Sequence, residues 1–130
     1  MKETTPQSVS TPGAPATVGP YSQGIIAGNF VFISGQLPLD PKTGDFVKGG
    51  IEEKTHRVIK NVKAVLEAAG TDLAHVVKTT VFLINMGDFA SVNNIYAQYF
   101  KASLPARSAI QVDALPKNAD IEMEAIAILS

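Results

Sequence analysis

Between residues 51 and 69 the apolar positions Ile51, Val58, Ile59, Val62, Val65, Leu66 and Ala69 recur at three- and four-residue intervals, and Gly70 follows them. That period predicts an amphipathic helix with one buried face, ended by a glycine suited to a left-handed C-cap. The run 75–84, HVVKTTVFLI, lacks a helical period and is dense in β-branched residues. It predicts a strand largely buried on both faces. Upstream, Gly24 to Ala27 and residues 30–34 read as two short strands joined through Gly28 and Asn29, a pair suited to a tight hairpin turn. Pro38, Pro41, Gly44, Gly49 and Gly50 punctuate the loop that follows, with a short extended piece at 45–47. A second helix carries its apolar stripe on Phe89, Val92, Tyr96 and Tyr99, with Asp88 as its expected N-cap and Pro105 keeping the next segment apart. Residues 107–112 and 121–129 close the chain as strands, separated by the turn-like LPKNAD.

The order ββαβαββ predicts an α+β fold, a mostly antiparallel or mixed sheet with a layer of two helices on one face. The last strand, IEMEAIAIL, is apolar on both sides over its final five residues, so the second sheet face is expected to be buried as well. The chain has no third helix for that purpose, and a homo-oligomer is the economical cover. Residues 1–16, rich in Pro, Thr and Ser, read as a flexible lead-in, and residues 17–130 as a single folded domain.

Composition narrows the function. At 130 residues, 45% hydrophobic and 18% charged, the chain reads as one soluble domain with one core, and its apolar runs fall short of the roughly 20 residues of a membrane helix. A net charge of −1 and scattered Lys and Arg leave no surplus for a nucleic-acid backbone, so nucleic acid is not an expected partner. With no cysteine there is neither a disulfide nor a thiolate metal site, and His56 and His75 alone make no histidine-rich one. No metal or organic cofactor is expected. The N-terminus has neither an apolar core nor an arginine-rich amphipathic pattern, which makes the cytoplasm the default location.

Hydrolase signatures such as GxSxG and HExxH are absent from the sequence. Candidate chemistry rests instead on single polar residues in structural stretches. In LPARSAIQV, Arg107 opens an apparent strand with no acidic residue within five positions on either side. Its planar five-donor fork suits a carboxylate, either a ligand's or that of Glu122 or Glu124 in a structural ion pair. Glu122 and Glu124, two apart on a strand, share a face where they can orient a water or serve as acid and base, or else form edge and oligomer contacts. Tyr21, Ser34 and Asn93 are able to donate or accept toward a small ligand, and equally to serve turns and caps. His56 and His75 are read as surface or capping residues.

Together, GPYSQ at 19–23, ISGQLPLDPKTG at 33–44, NVKAVLEAAG at 61–70, VVKTTVFL at 76–83, PARSAIQV at 105–112 and IEMEAIAI at 121–128 resemble the RidA family, also called YjgF. The resemblance runs from about Ala14 to the C-terminus. It implies a chorismate-mutase-like fold assembled as a homotrimer, with the sheets facing the trimer core and the sites in clefts between subunits. The implied activity is a 2-iminobutanoate/2-iminopropanoate deaminase. Such an enzyme hydrolyses reactive enamines and imines such as 2-aminoacrylate, 2-iminopropanoate and 2-iminobutanoate to 2-keto acids and ammonia, without a cofactor. By position, Arg107 would bind the substrate carboxylate, Glu122 would sit near the attacking water, and Tyr21, Ser34 and Asn93 would line the pocket. Many family members carry cysteine where this chain has Ala109, which excludes a thiol contribution here, and the 100–105 segment looks shorter than in some bacterial members. Two other readings stand beside the enzyme: a non-catalytic binder of 2-keto acids, and an RNA-directed translation inhibitor, against which the charge balance argues.

Overall fold

The computed structural model describes residues 5–129. The strands are β1 (Gln7–Val9), β2 (Gly24–Ala27), β3 (Phe30–Gln36), β4 (Val76–Leu83), β5 (Ala106–Gln111) and β6 (Ile121–Ile128), and the helices are α1 (Ile51–Ala69) and α2 (Phe89–Tyr99). They form one six-stranded sheet in the order β1-β2-β3-β6-β4-β5. The β4–β5 pair is parallel and every other pair antiparallel, which makes the sheet mixed, as expected from the element order.

Local chemistry accounts for the elements. Gly28 adopts a φ of 61° in the β2–β3 turn, a conformation costly for a side chain bearing Cβ. At the start of α1 the Glu53 carboxylate accepts from the Gly50 N–H at 2.8 Å, and at its end Gly70, with φ 94°, donates to Glu67 O while Thr71 N–H reaches Leu66 O. Val58, Ile59, Val62, Val65 and Leu66 then bury the α1 stripe against Val31, Val81, Leu83 and Ala127 of the sheet. At α2 the expected cap is different. Asp88 makes no side-chain cap bond; the capping side chain is Asn85, whose Oδ1 accepts from Gly87 N–H and closes a 3₁₀ turn (residues 86–88) that leads directly into the helix. An Asp88 that is already helical in backbone conformation cannot aim its carboxylate at the first free N–H groups as an N-cap does.

Two further expectations need correction. Residues 7–9 form a sixth strand paired with β2, so the folded unit begins ahead of Thr17. The segment that follows this strand is ordered by Gln23, a buried amide whose Nε2 donates to the carbonyls of Thr11, Ala14 and Pro15 while its Oε1 accepts from Thr11 N–H. That side chain replaces the water that a Pro- and Thr-rich segment would otherwise need. Strand β4 is buried on one face only in the single chain: Thr79, Val81 and Leu83 point to the helices, whereas Lys78, Thr80 and Phe82 do not, and Val77 is exposed. The 45–47 piece contributes a single bridge between Leu39 and Phe46.

Both helices cover the same face. The opposite face carries Phe30, Phe32, Ile110 and Ile128, each more than a third exposed, and no helix of the described residues covers it. None of the described helices is long and apolar enough to cross a membrane.

Candidate functional site

Arg107 sits near the start of β5 in register with Thr79 of β4. Because Thr79 faces the helices, so does Arg107, and α2 presents a stripe to it at helical spacing: Phe89, Asn93 and Tyr96. The guanidinium carbon lies 5.3 Å from the centre of the Phe89 ring and 4.8 Å from that of Tyr96, and Nη1 donates to Asn93 Oδ1 at 2.7 Å. Arg107 is exposed and has no carboxylate partner among the described residues. The cleft it borders, about 470 Å³, is otherwise lined by Tyr96, Ala97, Phe100, Leu104 and Pro105.

Glu122 lies on the other side of the sheet. It is paired with Phe82 and Glu124 with Thr80, so both carboxylates project from the face that the helices leave open. An intrachain ion pair between Arg107 and either glutamate, one of the readings of the sequence, is therefore not formed, because the sheet itself stands between them. Glu122 and Glu124 line a larger cleft of about 780 Å³ together with Tyr21, Ser34, Gly35, Leu37 and Leu39.

That second cleft is shaped by an irregularity in the sheet. The β3–β6 register shifts between Ile33 and Gln36, so Ser34 and Gly35 bulge at the point where β6 brings Glu122 past. Gly35 is required by this approach: a Cβ there would lie 2.8 Å from the Glu122 carboxyl carbon. Ser34 donates its hydroxyl proton to Ser22 O and its N–H to Gln23 O, which leaves the hydroxyl lone pairs for a ligand. Tyr21 is half exposed at the rim. Burial, and then the neighbouring charge of Glu124, hold the Glu122 carboxyl above the ordinary carboxylate range.

The five residues singled out in the sequence thus fall into two groups within one chain, Arg107 with Asn93, and Glu122 with Tyr21 and Ser34. Sequence reasoning missed the support beneath both. Phe89 and Tyr96 were assigned only to the apolar stripe of a helix, although their spacing from Asn93 marks a shared face. Asn61, fully buried in α1, donates to the carbonyls of Leu37 and Leu39 at 3.0 Å and so fixes a wall of the larger cleft; a lone Asn within a helical period was the available signal. His56 bonds Tyr99 across the two helices and His75 bonds Asp72 at the surface, both apart from the two clefts. Among the described residues no cluster of three or more His, Asp or Glu is placed to hold a metal ion.

Comparison with known proteins gives the same relationship from three directions. Residues 11–129 match the profile of the family described as Endoribonuclease L-PSP. The chain is 56% identical to a RutC family protein of Pyrococcus horikoshii over 92% of its own length and 94% of that protein's. It is 50% identical to the 2-iminobutanoate/2-iminopropanoate deaminase of Homo sapiens, over 92% of this chain and 88% of the human one. The crystal structure of the YjgF gene product of E. coli superimposes with a TM-score of 0.90 at 44% identity, covering 94% of this chain and 98% of that one.

Proposed function

The chain belongs to the RidA/YjgF family, the Endoribonuclease L-PSP family of the matching profile, and on that premise we propose that it is a deaminase of 2-imino acids. The substrates are 2-aminoacrylate, after tautomerisation to its imine, 2-iminopropanoate and 2-iminobutanoate. The observation that carries the reading is Arg107: a cation with no acidic partner among the described residues, held on aromatic rings and facing a cleft.

In this reading Arg107 binds the substrate carboxylate in a bidentate fashion. An iminium carbon is already electrophilic, so the remaining requirement is a placed water and a group that moves protons. Glu122 meets it. A carboxyl held above its usual range takes a proton from the attacking water and returns one to nitrogen as the carbinolamine collapses to the 2-keto acid and ammonia. Asn93, Ser34 and Tyr21 line the pocket.

The two groups lie on opposite faces of one sheet, and this split, with the exposed apolar residues on the open face, supports a site assembled between subunits of a homotrimer. One chain supplies Arg107 and Asn93; its neighbour supplies Glu122, Ser34 and Tyr21.

The test generates 2-iminopropanoate in situ, traps it with semicarbazide, and compares wild type with Arg107→Ala. Suppression of trapping by wild type alone supports the deaminase. If neither protein suppresses it, the enzyme reading fails and binding of 2-keto acids without turnover takes its place.

A further inference from the structure

The contact geometry of α2 extends beyond lining a pocket. Phe89, Asn93, Tyr96 and Phe100 occupy positions i, i+4, i+7 and i+11, one stripe, and the first three all touch the same guanidinium. Tyr96 is itself fixed from below. Its hydroxyl bonds the buried Thr79 Oγ1 at 2.7 Å, and its ring stacks on Phe100 at 4.4 Å between centroids, tilted by 29°. Thr79 is the β4 residue directly opposite Arg107, so the strand that carries the arginine and the ring that supports it are referenced to one buried residue.

We propose that Phe89 and Tyr96 are positioning residues that set the orientation of Arg107, and that Thr79 sets Tyr96. An exposed arginine on a strand edge has several rotatable bonds and loses much of its side-chain entropy on binding a ligand. Two aromatic faces and the Asn93 carbonyl remove that freedom in advance. Because Asn93 occupies Nη1, the Nη2 and Nε edge remains for a carboxylate, and its parallel donors fit the two oxygens. The aromatic contacts add attraction that strengthens as a ligand displaces water from the guanidinium.

The inference rests on the reading of Arg107 as a carboxylate receptor, and binding separates the two. Dissociation constants for 2-oxobutanoate are measured by calorimetry or NMR titration with the full chain for wild type, Arg107→Ala, Tyr96→Leu, Tyr96→Phe, Phe89→Leu and the double variant Arg107→Ala/Tyr96→Leu. Tyr96→Leu and Phe89→Leu are expected to weaken binding by about 5- to 30-fold each, the range of a partly to fully desolvated cation–π contact. Tyr96→Phe, which keeps the ring but loses the bond to Thr79, is expected to fall between wild type and Tyr96→Leu, and affinity equal to wild type would remove Thr79 from the positioning role. Where the residual affinity of Arg107→Ala is measured at high 2-oxobutanoate concentration, a packing role predicts a further loss in the double variant, whereas the positioning role predicts none, since nothing remains to be oriented. Independent losses in the double variant, or undiminished affinity in Phe89→Leu and Tyr96→Leu while Arg107→Ala abolishes binding, would overturn the positioning role and leave the receptor reading intact. If wild type and Arg107→Ala bind alike, or wild type does not bind, the receptor reading falls and the positioning role with it. Phe89→Leu, at a half-buried position, carries the test should Tyr96→Leu fold poorly.

Discussion

At the scale of single residues, two groups carry opposite electrostatic problems. Arg107 is a charge that water already satisfies, so its replacement is expected to affect binding far more than folding. Arg107→Lys keeps the charge and loses the planar fork, and kcat/KM for 2-iminopropanoate should fall by about 10-fold or more with the melting temperature nearly unchanged. Glu122 is a charge the fold disfavours. With its folded-state pKa raised by burial and by Glu124, the folded chain holds more protons than the unfolded one as pH climbs from the ordinary carboxylate range through the raised value, so stability declines across that window. Glu122→Gln removes the slope: melting curves of wild type and variant should converge at acidic pH and separate toward neutral pH, the variant being the more stable. Deaminase activity should move the other way, lost in the variant at all pH values. A wild type that gained stability through the same window would contradict the assignment of the strain to Glu122.

At the scale of elements, the site depends on places where regular structure is interrupted. The β3–β6 bulge brings Gly35 against Glu122, and Gly35→Ala must push the carboxyl aside. Activity should fall to nearly the level of Glu122→Gln while far-UV circular dichroism stays native; a fully active Gly35→Ala would show that the carboxyl can move without consequence. Asn61→Ala strips the buried Leu39 carbonyl of its side-chain donor and leaves the Leu37 carbonyl with the Leu39 N–H, at a cost of about 1–3 kcal/mol for the unpaired group, and is expected to lower the melting temperature by several degrees. These interruptions divide what the sequence disclosed from what it concealed. Both helices and the strands from residue 24 onward were legible because hydrophobic period is written locally. Strand β1 was not, since its three residues are held by pairing with β2 and the stretch behind them by Gln23, whose amide reaches back to residues 11–15 and leaves no periodic trace. Likewise Asp88 looked like a cap because residue type announces capping potential, while the preceding 3₁₀ turn, which reassigned that task to Asn85, is a property of backbone path. The candidate site residues were legible as polar exceptions in apolar stretches, yet their division between two faces follows from strand pairing, which five isolated positions do not encode.

At the scale of the whole molecule, that division becomes the decisive quantity. If Arg107 and Glu122 act on one substrate, they must come from different chains, because within one chain a sheet separates them. Phe30, Phe32 and Ile128 on the open face offer the apolar surface for such an assembly, and Phe32→Asp, which would set a carboxylate in that surface, is expected to leave single chains by sedimentation and no deaminase activity. Loss of activity alone would not distinguish a shared site from a damaged one, whereas complementation does. Arg107→Ala chains retain an intact Glu122 and Glu122→Gln chains an intact Arg107, and each variant alone is expected to be inactive. Mixed in equal amounts, dissociated and reassembled into head-to-tail rings, they place an intact Arg107 beside an intact Glu122 at roughly one interface in four, so about a quarter of wild-type activity should return. A site contained in one chain predicts none, because every chain in the mixture lacks one of the two groups. The fraction recovered therefore reports whether the open sheet face exists to bring the arginine of one copy to the glutamate of the next.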